Sequence, residues 1–245
     1  MFGSLFRNMP SITKNLIIIN ILVWFAQLTL PKIGINLTEL LGLHFWLASD
    51  FNPAQLITYM FLHSDNDFTH LFFNMFSLLM FGPLLERTLG SKRFLFYFLS
   101  CGLGAALVQE VVWQFTWKDI FAPFFANQAG CTMAESYQAL EIAIAQGKDI
   151  PALNALLTVG ASGGIFGILL AFGMLFPNLP LYLMFIPIPI KAKYMVIGYG
   201  ALEFFFGISG TMSSVAHFAH LGGMLFGFLL LLYWKKKGNT SGGIF

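Results

Sequence analysis

Long apolar runs separated by short polar clusters organise this chain. Six of them read as helices that cross a bilayer: Ile12–Leu30, Phe68–Leu85, Phe94–Val112, Ala161–Phe176, Met195–Ile208 and Val215–Trp234. A spanning helix needs about 20 mostly apolar residues. The fourth and fifth runs are shorter, which is tolerable where neighbouring helices rather than lipid cover their ends. A further apolar piece, LPLYLMFIPIPI, is broken by Pro180, Pro187 and Pro189 and reads as an interfacial connection, not a span.

Two connections are long. The one at residues 31–67 is rich in aromatic side chains (LHFWLASDFNPAQLITYMFLHSD), the composition of a segment lying among lipid headgroups. The one at residues 113–152 contains CTMAESYQALEIAIAQGKD, whose apolar positions recur at helical spacing and predict a short amphipathic helix. There is no internal repeat and no low-complexity tract.

Composition agrees with a lipid solvent. Of 245 residues, 57% are hydrophobic and 10% charged, where a soluble domain carries about 25% charged residues. So few charges cannot coat a globule of this size in water. The expected fold class is an all-α membrane protein with six spans: a short segment 1–11, a membrane domain 12–234 and a tail 235–245. A net charge of +2 offers no nucleic-acid footprint. The start, MFGSLFRNMPSITKN, does not read as a cleavable leader. Cys101 falls in a predicted span and Cys131 in a polar connection, so no disulfide is expected between them.

Lysine and arginine set the orientation. With both ends cytoplasmic, the inner segments hold Arg7, Lys14, Arg87, Lys92, Arg93, Lys191, Lys193 and Lys235, Lys236 and Lys237, against Lys32, Lys118 and Lys148 outside. Spans two, four and six then begin at the outer face. Their first turns contain FTHLFFNMF (His70, Asn74), GASGG (Ser162) and VAHFAHLGG (His217, His220). Polar groups inside a bilayer are expensive, and they mark function or pair with one another.

Ser162 is the candidate nucleophile. Gly160, Gly163 and Gly164 allow close approach, and a helix N-terminus offers unpaired N–H groups to an oxyanion. On that stretch alone helix packing through small residues explains the glycines equally well. His220 shifts the balance, because a serine needs a base within hydrogen-bond reach and imidazole can take and return its proton. Gly223 and Gly227 follow at i+3 and i+7, a smooth face for closing against the serine helix. His217 reads as a structural, hydrogen-bonded residue. His70 and Asn74, at i and i+4, share a helix face and can donate hydrogen bonds, either to an oxyanion or as a clamp between helices.

Together these strings resemble the rhomboid family of intramembrane serine proteases. The matching stretches are HLFFNMFSLLMFGPLLERTLGS, GASGGIFG and AHFAHLGGMLFG, in the family's order, over roughly Met60 to Trp234. The resemblance implies a Ser162–His220 dyad with no acidic third member. It implies an oxyanion hole of His70, Asn74 and the Ser162 N–H, and stabilisation of the inner end of span two by Glu86 and Gly90. It implies no metal and no cofactor, and substrates that are transmembrane segments reached within the lipid bilayer past span five and its preceding connection. Phe166 stands where the family often has a tyrosine stacked on the catalytic histidine. His63 precedes His70 by seven residues, longer than the common spacing, and the connection between spans three and four is longer than a minimal member needs.

The resemblance thus implies an endopeptidase, and the orientation opens its site to the outer side. The compact six-span layout points to a bacterial inner membrane, while the residues themselves do not exclude an organelle. The endopeptidase has a rival from another class, an inert rhomboid-like protein that escorts membrane clients. Other protease chemistries fit poorly: every Asp lies in a connection, the H-E-x-x-H of zinc proteases is absent, and a metal held by His70, His217 and His220, which their count alone allows, would leave Ser162 unexplained. A transporter would need an acidic relay within the membrane. Nothing in the residues sets an oligomeric state.

Overall fold

The computed structural model describes residues 8–183, 186–210 and 216–238. Most of the segment 1–11, the tail beyond residue 238, and Val215 at the expected start of span six lie outside the described residues. Each of the six apolar runs coincides with a helix: α1 (Ser11–Thr29), α4 (Phe68–Leu89), α5 (Ser91–Ala129), α7 (Ser162–Leu175), α8 (Ala192–Ser209) and α9 (His217–Lys236). Among the described residues, α1 with its extension to Ile33, α4, α5 and α9 are long and apolar enough to cross a membrane. The short elements are α2 (Leu37–Leu41), α3 (Gln55–Thr58) and α6 (Met133–Ala145), with the strands β1 (Leu43–His44), β2 (Leu157–Thr158), β3 (Pro180–Leu183) and β4 (Ile186–Lys191).

α7 has 14 residues, of which ten are buried. It is surrounded by α4, α5, α8 and α9, so its backbone ends meet protein rather than lipid, and a helix too short to span on its own is tolerated. Its glycines let the neighbours in. A methyl group on Gly223 of α9 would stand 2.0 Å from the carbonyl oxygen of Gly163. The two backbones therefore touch, as small residues permit in membranes. Gly227 closes on the Tyr97 hydroxyl and Cys101 in the same way, and Tyr97 donates to the Gly167 carbonyl at 2.9 Å.

Pro10 precedes α1 and has no side chain to cap it. Glu86, near the end of α4, supplies the cap instead. Its carboxylate accepts from the Ile12 and Thr13 amides at 3.0 and 2.7 Å, from the Thr13 hydroxyl at 2.8 Å and from Ser91 at 2.6 Å. An anion over the first amides of a helix also meets the positive end of its dipole. Gly90, at φ +80°, ends α4 and starts α5. The two residues matched to span two thus bind three helix ends to each other.

The connection at 31–67 packs against the rest of the chain. Leu43, Phe45, Met60 and Leu62 are fully buried. β1 pairs with β2 in antiparallel register, Leu43 opposite Thr158. The Trp46 amide donates to Glu110 at 2.8 Å and the Tyr59 hydroxyl to the Gly102 carbonyl at 2.8 Å. Burial pushes the Tyr59 hydroxyl well above the ordinary tyrosine range.

The connection at 113–152 departs from expectation. α5 continues past Val112 to Ala129, stops at Gly130 in the left-handed conformation, and the chain returns as α6 through a Thr132–Glu135 capping box. Ser136 donates to the Ala122 carbonyl at 2.9 Å, closing a helical hairpin. α6 is the expected amphipathic helix, but the segment before it is helix and not loop. Within the proline-broken piece LPLYLMFIPIPI the described residues form no helix, as expected of a connection; β3 and β4 pair in antiparallel fashion and lead directly into α8.

Glu86→Ala should strip α1 of its cap and leave buried donors unmet. A loss of about 2–4 kcal/mol in unfolding free energy is expected, read as a lowered thermal midpoint in detergent micelles.

Candidate active site

The chain enters α7 through a backbone that only glycine adopts easily. Gly160 sits at φ +133°, with its amide donating to the Tyr59 carbonyl at 3.0 Å. A methyl group there would lie 2.8 Å from His70 Nε2 and 3.6 Å from Ser162 Oγ. Gly160 thus turns the chain and leaves the gap into which His70 and Ser162 both face. Ser162 is the first residue of α7, so its amide belongs to the unpaired N–H groups of a helix start.

His220 lies in the first turn of α9, buried. Its Nε2 is 2.8 Å from Ser162 Oγ. The ring lies flat on Phe166, centroids 4.2 Å apart and planes 8° from parallel. The stack expected of an aromatic four residues after the serine therefore needs no hydroxyl. On the far side, His220 Nδ1 is 2.9 Å from Glu203 Oε2, and His217 Nδ1 is 2.7 Å from the same oxygen. A carboxylate only accepts, so each Nδ1 carries its hydrogen, and the lone pair of His220 Nε2 faces the serine hydroxyl.

His70 has the opposite tautomer. The Ser64 amide donates to its Nδ1 at 3.2 Å, which leaves the hydrogen on Nε2, directed at the Gly160 gap. The His63 ring packs 5.1 Å from it. Burial, first, and the neighbouring His70 push His63 down to about 3, so it is neutral at any physiological pH, and Gln27 holds its backbone on both sides. Asn74 is buried one turn below His70 and donates to the His70 carbonyl at 2.7 Å; this bond is within its own helix. The structure therefore brings Ser162, His220, His70, Gly160 and Phe166 into one notch. Gly163, Gly223 and Gly227 set the helix spacing behind it, and Glu86 and Gly90 lie at the other end of α4.

Glu203, which the expected serine–histidine pair does not include, is the acid beside His220. It lies inside the apolar run Met195–Ile208, where a single carboxylate among aromatic and aliphatic residues is itself the signal. Glu110 is a second acid within a predicted span. Counting aspartates alone concealed both. His217 keeps the structural role expected of it, as a donor to Glu203.

The Nδ1 atoms of His217 and His220 and an oxygen of Glu203 all lie within 4.8 Å of one another, close enough to hold a metal ion. A metal on His220 Nδ1 would displace its hydrogen to Nε2. The ring would then present a donor to Ser162 and could not act as its base. Metal binding and base chemistry exclude one another at this ring.

Among known proteins, a family profile described as "Rhomboid domain" matches residues 51–237. Over 49 residues the chain is 47% identical to YdcA of Bacillus subtilis (strain 168), a relative named for the rhomboid proteases; the stretch covers 20% of this chain and 24% of that one. It is 27% identical over 247 residues to "Rhomboid protein 1, mitochondrial" of Saccharomyces cerevisiae, covering 96% of this chain and 60% of the relative. The chain spans less than two thirds of the length of either.

Gly160→Ala would place a methyl group against His70 in a strained backbone. Thermal unfolding in micelles should show a loss of about 1–3 kcal/mol, larger than for the same exchange at a glycine with ordinary φ.

Proposed function

This chain belongs to the rhomboid family, and we propose that it is an intramembrane serine endopeptidase that cleaves transmembrane segments of other membrane proteins. The observation that carries the reading is the 2.8 Å contact between Ser162 Oγ and the basic nitrogen of His220, made between two helices in a notch lined by donors. Two polar groups of that kind, paired inside an apolar body, are costly to keep for packing alone.

His220 takes the Ser162 proton as Oγ attacks the scissile carbonyl. The negative charge that develops on the carbonyl oxygen is met by the Ser162 amide and by the Nε2–H of His70, donors fixed in place before reaction. Asn74 contributes through its amide, which holds the His70 turn and has a second hydrogen to offer. His220 then returns the proton to the leaving amine, and water admitted from the outer side releases the acyl group. A helical amide is hydrogen-bonded and shielded, so the substrate must unwind locally at the cut, and small or helix-weakening residues there are favoured. α7 packs against both α4 and α8, and a substrate segment reaches the notch between those two, at the end of α7 where Ser162 stands.

The layout that serves this chemistry has six spans with both ends cytoplasmic, in keeping with the one-sided lysine and arginine. We assign it to the cytoplasmic membrane of a bacterium, with the site open to the opposite face.

Ser162→Ala and His220→Ala should each abolish cleavage of a reporter transmembrane substrate while leaving the thermal midpoint near that of the parent. Asn74→Ala should slow it about 10²-fold, the usual cost of an oxyanion donor. Cleavage should persist in excess chelator; loss on chelation, restored by a divalent cation, would favour a metal at Glu203.

A further inference from the structure

We propose that Glu203 is the positioning residue of this reaction, orienting His220 and stabilising its protonated form, so that the site works as a serine–histidine–glutamate triad. The inference rests on the serine-protease reading above and adds to it the acid that the family resemblance leaves out.

The stack on Phe166 fixes the plane of the His220 ring but not its orientation within that plane. A half-turn about the ring's attachment would keep the stack and exchange nitrogen for carbon at the edge facing Ser162. Glu203 removes that ambiguity. Only the observed orientation gives Nδ1–H an acceptor at 2.9 Å while Nε2 lies 2.8 Å from the serine. The same bond fixes the tautomer, because a ring protonated on Nε2 would face the carboxylate with a bare lone pair.

The carboxylate is itself held. Its side chain is 14% exposed, in a helix whose neighbours are apolar, and a charge so placed is costly unless its oxygens are satisfied. His217 donates to the same oxygen at 2.7 Å. One histidine would suffice to anchor the acid; the second bond, to the ring that faces Ser162, goes beyond anchoring.

The electrostatic consequence is differential. In the resting site Glu203 accepts from a neutral ring. When Ser162 attacks, its hydroxyl proton passes to His220 Nε2, and an imidazolium forms against a carboxylate already in place. That attraction exists only from the transition state onward, the condition for lowering a barrier rather than merely tightening binding. The carboxylate keeps its charge throughout. The proton leaves from Nε2 to the amine nitrogen as the peptide C–N bond breaks, so Glu203 exchanges no proton and touches no substrate.

The test is steady-state cleavage of a reporter transmembrane substrate by the full chain in micelles, comparing the parent with Glu203→Gln, Glu203→Asp and Ser162→Ala. Glu203→Gln keeps the size and loses the charge. Its kcat should fall about 10²–10⁴-fold, the range set by loss of the orienting acid in such triads, with KM and the thermal midpoint close to the parent's. Glu203→Asp should recover part of the loss. A kcat for Glu203→Gln equal to the parent's, with Ser162→Ala inactive, would overturn the triad and leave the serine reading standing. Cleavage by Ser162→Ala would overturn the serine reading itself. Should Glu203→Gln fail to fold, nitrogen-15 NMR of histidine-labelled parent decides: a protonated, strongly deshielded Nδ1–H on His220 is expected, and an unprotonated Nδ1 would refute the proposal.

Discussion

The backbone contact between α7 and α9 is the constraint on which the remainder depends. Gly223 rests on the Gly163 carbonyl so closely that no side chain fits between them. Ser162 is the neighbour of one of these residues, and His220 lies one turn before the other. The distance from hydroxyl to imidazole is therefore set by main chain against main chain, the least adaptable kind of packing. In lipid there is no hydrophobic drive to bring helices together, so close van der Waals approach through small residues is what remains to fix their spacing. The GASGGIFG and HLGGMLFG strings serve packing and chemistry at once. The packing role of those glycines is visible in the contact itself, and it leaves room for the proposed chemistry beside it.

Three carboxylates sit inside this apolar body, and each is held differently. Glu86 caps α1 across the bundle through backbone amides. Glu110 accepts from the Trp46 amide and so fastens the connection at 31–67 to α5. Glu203 lies between two imidazoles. A buried charge is tolerable only where donors surround it, and each of these acids joins segments that no apolar contact would hold in a unique register. The acids are scarce because each carries that desolvation cost, and their positions mark where the fold must be exact to within a hydrogen bond.

Much of this was legible in the residues, for physical reasons. A hydroxyl, imidazoles and an amide inside runs otherwise fit for lipid stand out, and even span counting puts them at one depth. The stack of Phe166 on His220 was expected from the resemblance, and it forms with the ring alone, without a hydroxyl. The continuation of α5 was not legible, because Gln114, Thr116, Lys118 and Asp119 break the apolar run without breaking the helix: hydropathy ends where lipid burial ends, not where the hydrogen-bond ladder does. The Thr132–Glu135 box that starts the returning helix was present in the string but carried no weight until Gly130 was known to stop its predecessor. β1 and β2 are two residues each, too short for any periodicity, and exist only because the tertiary fold brings Leu43 to Thr158. Glu203 was visible as a letter and invisible as a partner, since nothing in sequence spacing relates span five to span six.

The central claim is that Ser162 is a nucleophile made so by His220. The most direct measurement is mass spectrometry of the protein after exposure to a fluorophosphonate, which bonds to serines only when a base has activated them. One adduct, on Ser162, absent when His220 is replaced by alanine, is the predicted result. An unlabelled Ser162 in a protein that still cleaves its substrate, or labelling that survives the loss of His220, would contradict the account.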